Sequence, residues 1–213
     1  ICMDRGEKKE AAAIFEEGLD LTKDRPESLE RASILFELGH CMFSLGDNKE
    51  AIACFEETLK IRTSKLGDCE LVLDTQIEVG KIYKTLDLHR ESLKAAKEVM
   101  FLTEKLYRGD DARAASALYG VAEAYEVLEE YTEAVAMFEE CKELLKNALC
   151  ADHPDVAKVM QRLAKLHANH QDCEKAYSCY TDASQILTAN FEPEHQLIGE
   201  APHGTGVTAQ TPR

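Results

Sequence analysis

An all-α solenoid of antiparallel helix pairs, in units of about 42 residues, is the architecture expected of these 213 residues. Three observations carry the expectation. The first is an internal period. An alanine or serine is followed four residues later by an apolar residue in Ala11/Phe15, Ala51/Phe55, Ser92/Ala96, Ala134/Phe138 and Ala176/Tyr180, at steps of 40, 41, 42 and 42 residues. Repetition at a period of this size marks stacked supersecondary units. The second is that further columns keep the register. Six residues after each pair stands Leu21, Ile61, Leu102, Leu144 or Ile186. Thirteen residues before it, from the second unit on, stand Leu38-Gly39, Val79-Gly80, Val121-Ala122 and Leu163-Ala164, followed three residues later by Met42, Tyr83, Tyr125 or His167. The third is local: apolar residues recur at helical spacing inside each unit, and a turn such as Leu45-Gly46-Asp47-Asn48 splits it near the middle.

Each element follows from these columns. The first unit keeps only its second helix, about 7 to 24, carrying Ala11, Phe15 and Leu21 after the remnant Ile1-Cys2-Met3. More protein is therefore expected upstream of Ile1. The second unit pairs a helix over 27 to 45, holding Leu38-Gly39, with one over 48 to 65, holding Ala51, Phe55 and Ile61. Gly67-Asp68 then leads into 70 to 86 and 89 to 107, and Gly109-Asp110-Asp111 into 111 to 128 and 131 to 149. The last pair covers 154 to 170 and 173 to 190. Beyond it Pro193, Pro202, Gly204, Gly206 and Pro212 change the composition, so the reading is one truncated and four full hairpins over 1–190 and a disordered tail over 191–213.

Small residues at Gly39, Gly80, Ala122 and Ala164 let paired helices approach closely, and the aromatic four residues after the Ala/Ser column fills the space above that contact. The Leu-Gly-x-x-Tyr and Ala-x-x-x-Phe pattern, standing as Leu38-Gly39...Met42, Val79-Gly80...Tyr83, Ala51...Phe55 and Ala134...Phe138, resembles the tetratricopeptide repeat over roughly Cys2 to Ala189. That repeat is usually about 34 residues long. The longer unit here, with about one more turn per helix, is similar to kinesin light chain and its relatives. A linker common in that family, His-Pro-Asp-Val-Ala after a Gly or Asp, stands intact as Asp152-His153-Pro154-Asp155-Val156-Ala157. Pro154 suits a first helical position and Asp155 complements the positive helix end. The resemblance implies a right-handed superhelix whose first helices line a concave groove and whose second helices form the outer wall.

Composition narrows the function. Forty Asp and Glu against 25 Lys and Arg give a net charge of -15, which repels phosphate backbones and anionic leaflets, so no nucleic-acid or membrane partner is expected. No stretch approaches the roughly 20 apolar residues of a bilayer helix. The eight cysteines include no C-x-x-C pair and accompany long helical patterns, which points to reduced thiols in a cytosolic, cytoplasmic protein.

The search for chemistry returns no catalytic constellation, and neither an enzyme nor a cofactor is expected. His167, His170 and Cys173 have ligand-like spacing, but His167 occupies the packing column of Tyr83 and Tyr125 and no fourth ligand stands nearby, so no metal is expected. Gly204-x-Gly206 lacks the strand and helix of a phosphate loop. The candidate binding residues are first-helix positions outside the core columns: Phe36, His40, Ile77, Lys81, Lys84, Tyr119, Lys158, Gln161, Arg162 and Lys165. Lys158, Arg162 and Lys165 form a basic strip on one helix face that suits a carboxylate-bearing peptide. The bland alternative is solvated charge neutralised by Asp155 and Glu123. Kinesin light chains use such a groove for cargo peptides that combine an aromatic with acidic residues, although the family's paired asparagines are replaced here by Gln161 and Arg162. The expected function is a noncatalytic protein-interaction module, a scaffold or adaptor with a protein or acidic peptide partner. The alternatives are a sensing arm of a larger switch protein and a brace in a microtubule or ciliary assembly.

Overall fold

The computed structural model describes residues 5–190, and within them the chain is nine α-helices without a strand. They are α1 (Arg5–Leu21), α2 (Leu29–Leu45), α3 (Asn48–Leu66), α4 (Glu70–Thr85), α5 (His89–Leu106), α6 (Asp111–Val127), α7 (Tyr131–Ala148), α8 (Pro154–Asn169) and α9 (Cys173–Asn190). Helices pack chiefly on their neighbours in chain order, so α2/α3, α4/α5, α6/α7 and α8/α9 are successive hairpins, with α1 laid on α2. This is the expected all-α solenoid, quasi-one-dimensional because each unit touches only the next. The remnant Ile1-Cys2-Met3 and the segment expected to be a tail, 191–213, lie outside the described residues, together with Gly204-x-Gly206.

The helix ends have local causes. Ser28 caps α2 by accepting a hydrogen bond from the Arg31 N–H at 3.1 Å, which starts the helix at Leu29. Gly46 closes it in the left-handed conformation, φ 94°, where its N–H can reach the Met42 and Phe43 carbonyls. Asp110 caps α6 through the Arg113 N–H. Pro154 opens α8, and the preceding His153 supplies a cap that its sequence context did not announce: its Nδ1 accepts from the Asp155 N–H at 3.1 Å. The first helix runs from Arg5 to Leu21 rather than over 7 to 24. Its chain turns off through Thr22, whose hydroxyl and N–H both donate to the Leu19 carbonyl.

Inside the hairpins the columns act as fillers. Phe55 is buried against Gly39 so tightly that a Cβ on the glycine would stand 2.8 Å from the ring edge. Phe138 is fully buried with Ala122 and Ala134 in the cluster that joins α6, α7 and α8. A second tie recurs 26 residues apart within a hairpin: the Thr58 hydroxyl donates to the Ala32 carbonyl at 3.3 Å, and the Cys141 thiol to the Ala115 carbonyl at 3.2 Å. At the open end of a hairpin the end of the second helix is laced to the start of the first, by Lys65 to Glu27 in α2/α3, Lys105 to Asp68 and Tyr107 to Glu70 in α4/α5, and Asn190 to the Asp152 carbonyl in α8/α9. One column member departs from its expected place. Leu21, the last residue of α1, is 83% exposed where Ile61 and Leu102 are buried, and Leu19 is the residue of that end that packs on Ala32, Leu35 and Ile61.

Two measurements check this packing. Gly39→Ala should lose about 1–3 kcal/mol in urea unfolding because the Phe55 ring has nowhere to go. Gly80→Ala, whose Cβ would meet only the Ala95 methyl at 3.5 Å, should gain about 0.5–1 kcal/mol from helix propensity. The Tyr83 hydroxyl is pushed up to about 12 by burial and by its 2.8 Å hydrogen bond to Glu56. The folded chain therefore keeps this proton longer than the unfolded one, and the contribution is complete below pH 10, the ordinary tyrosine value, and lost as pH rises to about 12. Tyr83→Phe should flatten the fall in thermal stability across that window.

Candidate functional site: a cleft between α4, α5 and α6

The candidate residues stand at equivalent positions of α2, α4, α6 and α8, and the structure gives each a setting. Phe36 is half-buried in an aromatic group, edge-on to His40 at 4.7 Å and to Phe55 at 5.4 Å, with the Arg62 guanidinium 4.6 Å from its ring centroid. Arg62 is itself buried and donates to Thr75 at 2.8 Å. Tyr119, half-buried, repeats the arrangement against Phe138 at 5.4 Å, and burial pushes its hydroxyl pKa up. Phe36, His40 and Tyr119 thus belong partly to the hairpin core. Gln161 is half-buried.

The cations are mostly paired. Lys81 binds Glu78 at 2.6 Å, Lys158 binds Asp155 at 2.7 Å, and both lysines are more than half exposed. Glu123 on α6 reaches Lys84 of α4 at 2.7 Å and Arg162 of α8 at 3.2 Å, so one carboxylate ties three hairpins. Arg162 also meets Glu126 at 2.7 Å and is 30% exposed, the most enclosed member of the basic strip. Lys165 is exposed and forms no ion pair among the described residues. The strip therefore divides into an arginine committed to the array and two lysines at the surface.

The feature that the columns did not announce as a site is a cleft of about 540 Å³ where α4, α5 and α6 meet. Ile77, Gly80, Lys81 and Lys84 line it from α4, Ser92, Ala95, Ala96 and Val99 from α5, and Ser116, Ala117, Gly120 and Glu123 from α6. Its volume lies in the range of ligand and side-chain pockets. The signal was present in the sequence as Ala96, the one small residue in a column otherwise held by Phe15, Phe55, Phe138 and Tyr180.

His167, His170 and Cys173 are arranged differently from a metal site. Tyr131 stacks on His170 with ring centroids 3.7 Å apart and hydrogen-bonds His167 Nδ1 at 2.7 Å, while Cys173 is exposed at the start of α9. Among the described residues no cluster of three His, Cys, Asp or Glu has metal-holding geometry. No described helix is long and apolar enough to cross a membrane.

The sequence model of the tetratricopeptide repeat matches residues 30–105 and 113–189. The chain belongs to the tetratricopeptide repeat family. These repeats are interaction units, and this tetratricopeptide repeat chain is 25% identical to the Arabidopsis thaliana protein kinesin light chain-related 1, over 76% of its own length. It spans only 34% of that plant relative. A Podospora anserina kinesin light chain built of nearly identical TPR-like repeats superposes with a TM-score of 0.74 at 19% identity, covering 88% of this chain and 90% of that one. A Rap protein solved in complex with competence and sporulation factor gives 0.57 at 16% identity, over 81% of this chain and 46% of that one. At such identities the two solved structures speak for the fold alone.

The two kinds of cation among the candidate residues should separate on mutation. Arg162→Ala leaves Glu123 and Glu126 without their shared guanidinium and should lose roughly 1–3 kcal/mol. Lys158→Ala removes one exposed pair and should change unfolding by no more than about 0.5 kcal/mol. Chemical denaturation of the two variants beside the parent protein checks both values.

Proposed function

We propose that the chain is a noncatalytic interaction module, a scaffold or adaptor, that holds a segment of a protein partner along its concave face. The observation that carries this reading is the half-open cleft between α4, α5 and α6, because its lining includes the groove positions Ile77, Lys81, Lys84, Gly120 and Glu123. An apolar recess among peptide-facing columns is what a recognition groove needs to anchor a side chain. The remaining candidates, Phe36, His40, Tyr119, Lys158, Gln161 and Lys165, extend the contact surface to either side. That a structural neighbour has been solved with a bound factor supports the same use of the fold.

The partner segment is acidic. Three cations, Lys81, Lys84 and Arg113, face two carboxylates, Asp87 and Glu123, around the cleft of a chain whose net charge is -15. The pairs of Lys81 with Glu78 and Lys158 with Asp155 do not block a ligand, since exposed pairs contribute only about 0–1 kcal/mol and exchange readily. Lys165 needs no exchange at all. Binding by this mechanism is passive: the groove is in place before the partner arrives, and charge sets the encounter more than the final affinity.

A peptide-array screen tests the reading with the parent protein and the variant Lys81→Glu, Lys158→Glu, Lys165→Glu, each at two salt concentrations. Arg162 is left intact because it holds α6 to α8. Acidic peptides should bind the parent protein, weaken with salt and lose about tenfold or more in the variant. Equal binding by both proteins, or binding indifferent to salt, would overturn the acidic-segment reading.

A further inference from the structure

The exposed faces of α5 and α7 carry charge of opposite sign in one register. On α5 the exposed residues Lys94, Lys97, Phe101, Lys105 and Arg108 recur at steps of three and four, which lines them along one face of the helix and its continuation. Phe101, at the middle of this stripe, is 55% exposed. The exposed residues of α7 include the carboxylates Glu133, Glu140 and Glu143 and no cation, with the small Ala136 exposed among them. The flanking second helices lack either pattern. At the columns of the α5 stripe α3 holds Ala53, Glu56, Lys60 and Ser64, and α9 holds Ser178, Thr181, Gln185 and Ala189.

These charges are open to a partner. Lys94, Arg108 and Glu140 form no ion pair among the described residues. Lys105 meets Asp68 and Glu143 meets Lys146 in surface pairs, which are weak and exchange readily. Lys97 lies 4.9 Å from the Tyr125 ring centroid and remains exposed. The order of the two rows is complementary when they run antiparallel. With Phe101 of one copy opposite Ala136 of another, Lys94 falls opposite Glu143, Lys97 opposite Glu140, Arg108 opposite Glu129 and Glu91 opposite Lys146. Lys105 then stands beside Glu133. The like charges that meet are Glu98 with Glu139, which Lys142 already pairs, and Glu104 with Glu133, next to Lys105.

We propose that a second copy of this chain docks on this surface, α5 of each copy on α7 of the other. Both are second helices of consecutive hairpins, so they run in the same direction and share their outer columns. A two-fold axis between them therefore forms both contacts at once, and a self-complementary contact of this kind closes at two copies. Phe101 of each copy seats on Ala136 of the other, which takes the ring out of water, while the cations and carboxylates beside it set the register and the antiparallel sense. None of the groove candidates takes part, so pairing through the second helices and binding along the first are separate uses of the fold.

Sedimentation equilibrium reads the association from about 5 to about 200 μM at two salt concentrations. Reducing buffer keeps the exposed Cys150 and Cys173 from cross-linking copies. The parent chain should show a monomer and dimer equilibrium that weakens with salt. Lys94→Glu and Glu143→Lys each turn an attraction into a repulsion at two symmetric places, and either alone should weaken the dimer by about tenfold or more. An equimolar mixture of the two variants should recover it, because in the mixed dimer one contact is native and the other has both charges reversed. Lys97→Glu and Glu140→Lys make a second such pair, used if a member of the first loses the helical circular dichroism of the parent. Phe101→Ser should weaken the dimer likewise. A parent chain that stays monomeric throughout this range, or that grows beyond a dimer, would overturn the proposal. Undiminished association of the charge-reversal variants overturns it too, as does a mixture that associates no more tightly than its components.

Discussion

The close approach of paired helices at the Gly/Ala column is the contact on which the array depends. A helix pair that touches nearly backbone to backbone needs a filler beside the touching point, and Phe55 over Gly39 shows how little tolerance such a contact leaves. With the ring in place, the first helix fixes the orientation of the second, and the second presents an apolar flank to the following hairpin. Register then passes along the chain by repetition of one local rule, without contacts distant in sequence beyond those of adjacent units. By the same rule residues beside the packing columns of α2, α4, α6 and α8 repeat in register, and these are the positions that the proposed groove uses.

On this frame the charge pattern acts between hairpins. Glu123 joins Lys84 and Arg162, which places a single carboxylate in the middle of a line that crosses α4, α6 and α8. Arg162 gains a second carboxylate from Glu126 and lies 5.9 Å from the Phe138 ring centroid, so its guanidinium is held by charge and by the core together. The lysines at the surface have long flexible stems and exposed partners, and their charges stay open to exchange.

Helix positions were legible because the columns repeat: every junction from Leu45 to Asp47 through Asn169 to Cys173 falls within a residue or two of its expected place. Leu21 was misleading because a column carries no information about whether a neighbouring helix covers it. The groove candidates were legible as positions and not as environments. Whether Arg162 is free or committed depends on Glu123 and Glu126, which stand 39 and 36 residues earlier in the chain and come alongside only through the stacking of hairpins. The cleft was hidden for the opposite reason. Ala96 still satisfies an apolar column, and only the simultaneous smallness of Ala96, Thr103 and Gly120, on two helices, opens space.

The filling of the α4/α5 hairpin also bears on mechanics. In a linear array each interface contributes its own share to rigidity, and no distant contact compensates for a weak one. The cluster around Phe55 takes Val79 and Ile82 from α4, the cluster around Phe138 is flanked by Met100 of α5, and the cluster built on Val72, Leu73 and Leu102 joins α4 to α5. A load applied to the ends of such an array passes from helix to helix through these clusters in turn. The space beside Ala96 takes no part in that path, so what passes between α4 and α5 is carried by the Val72, Leu73 and Leu102 cluster.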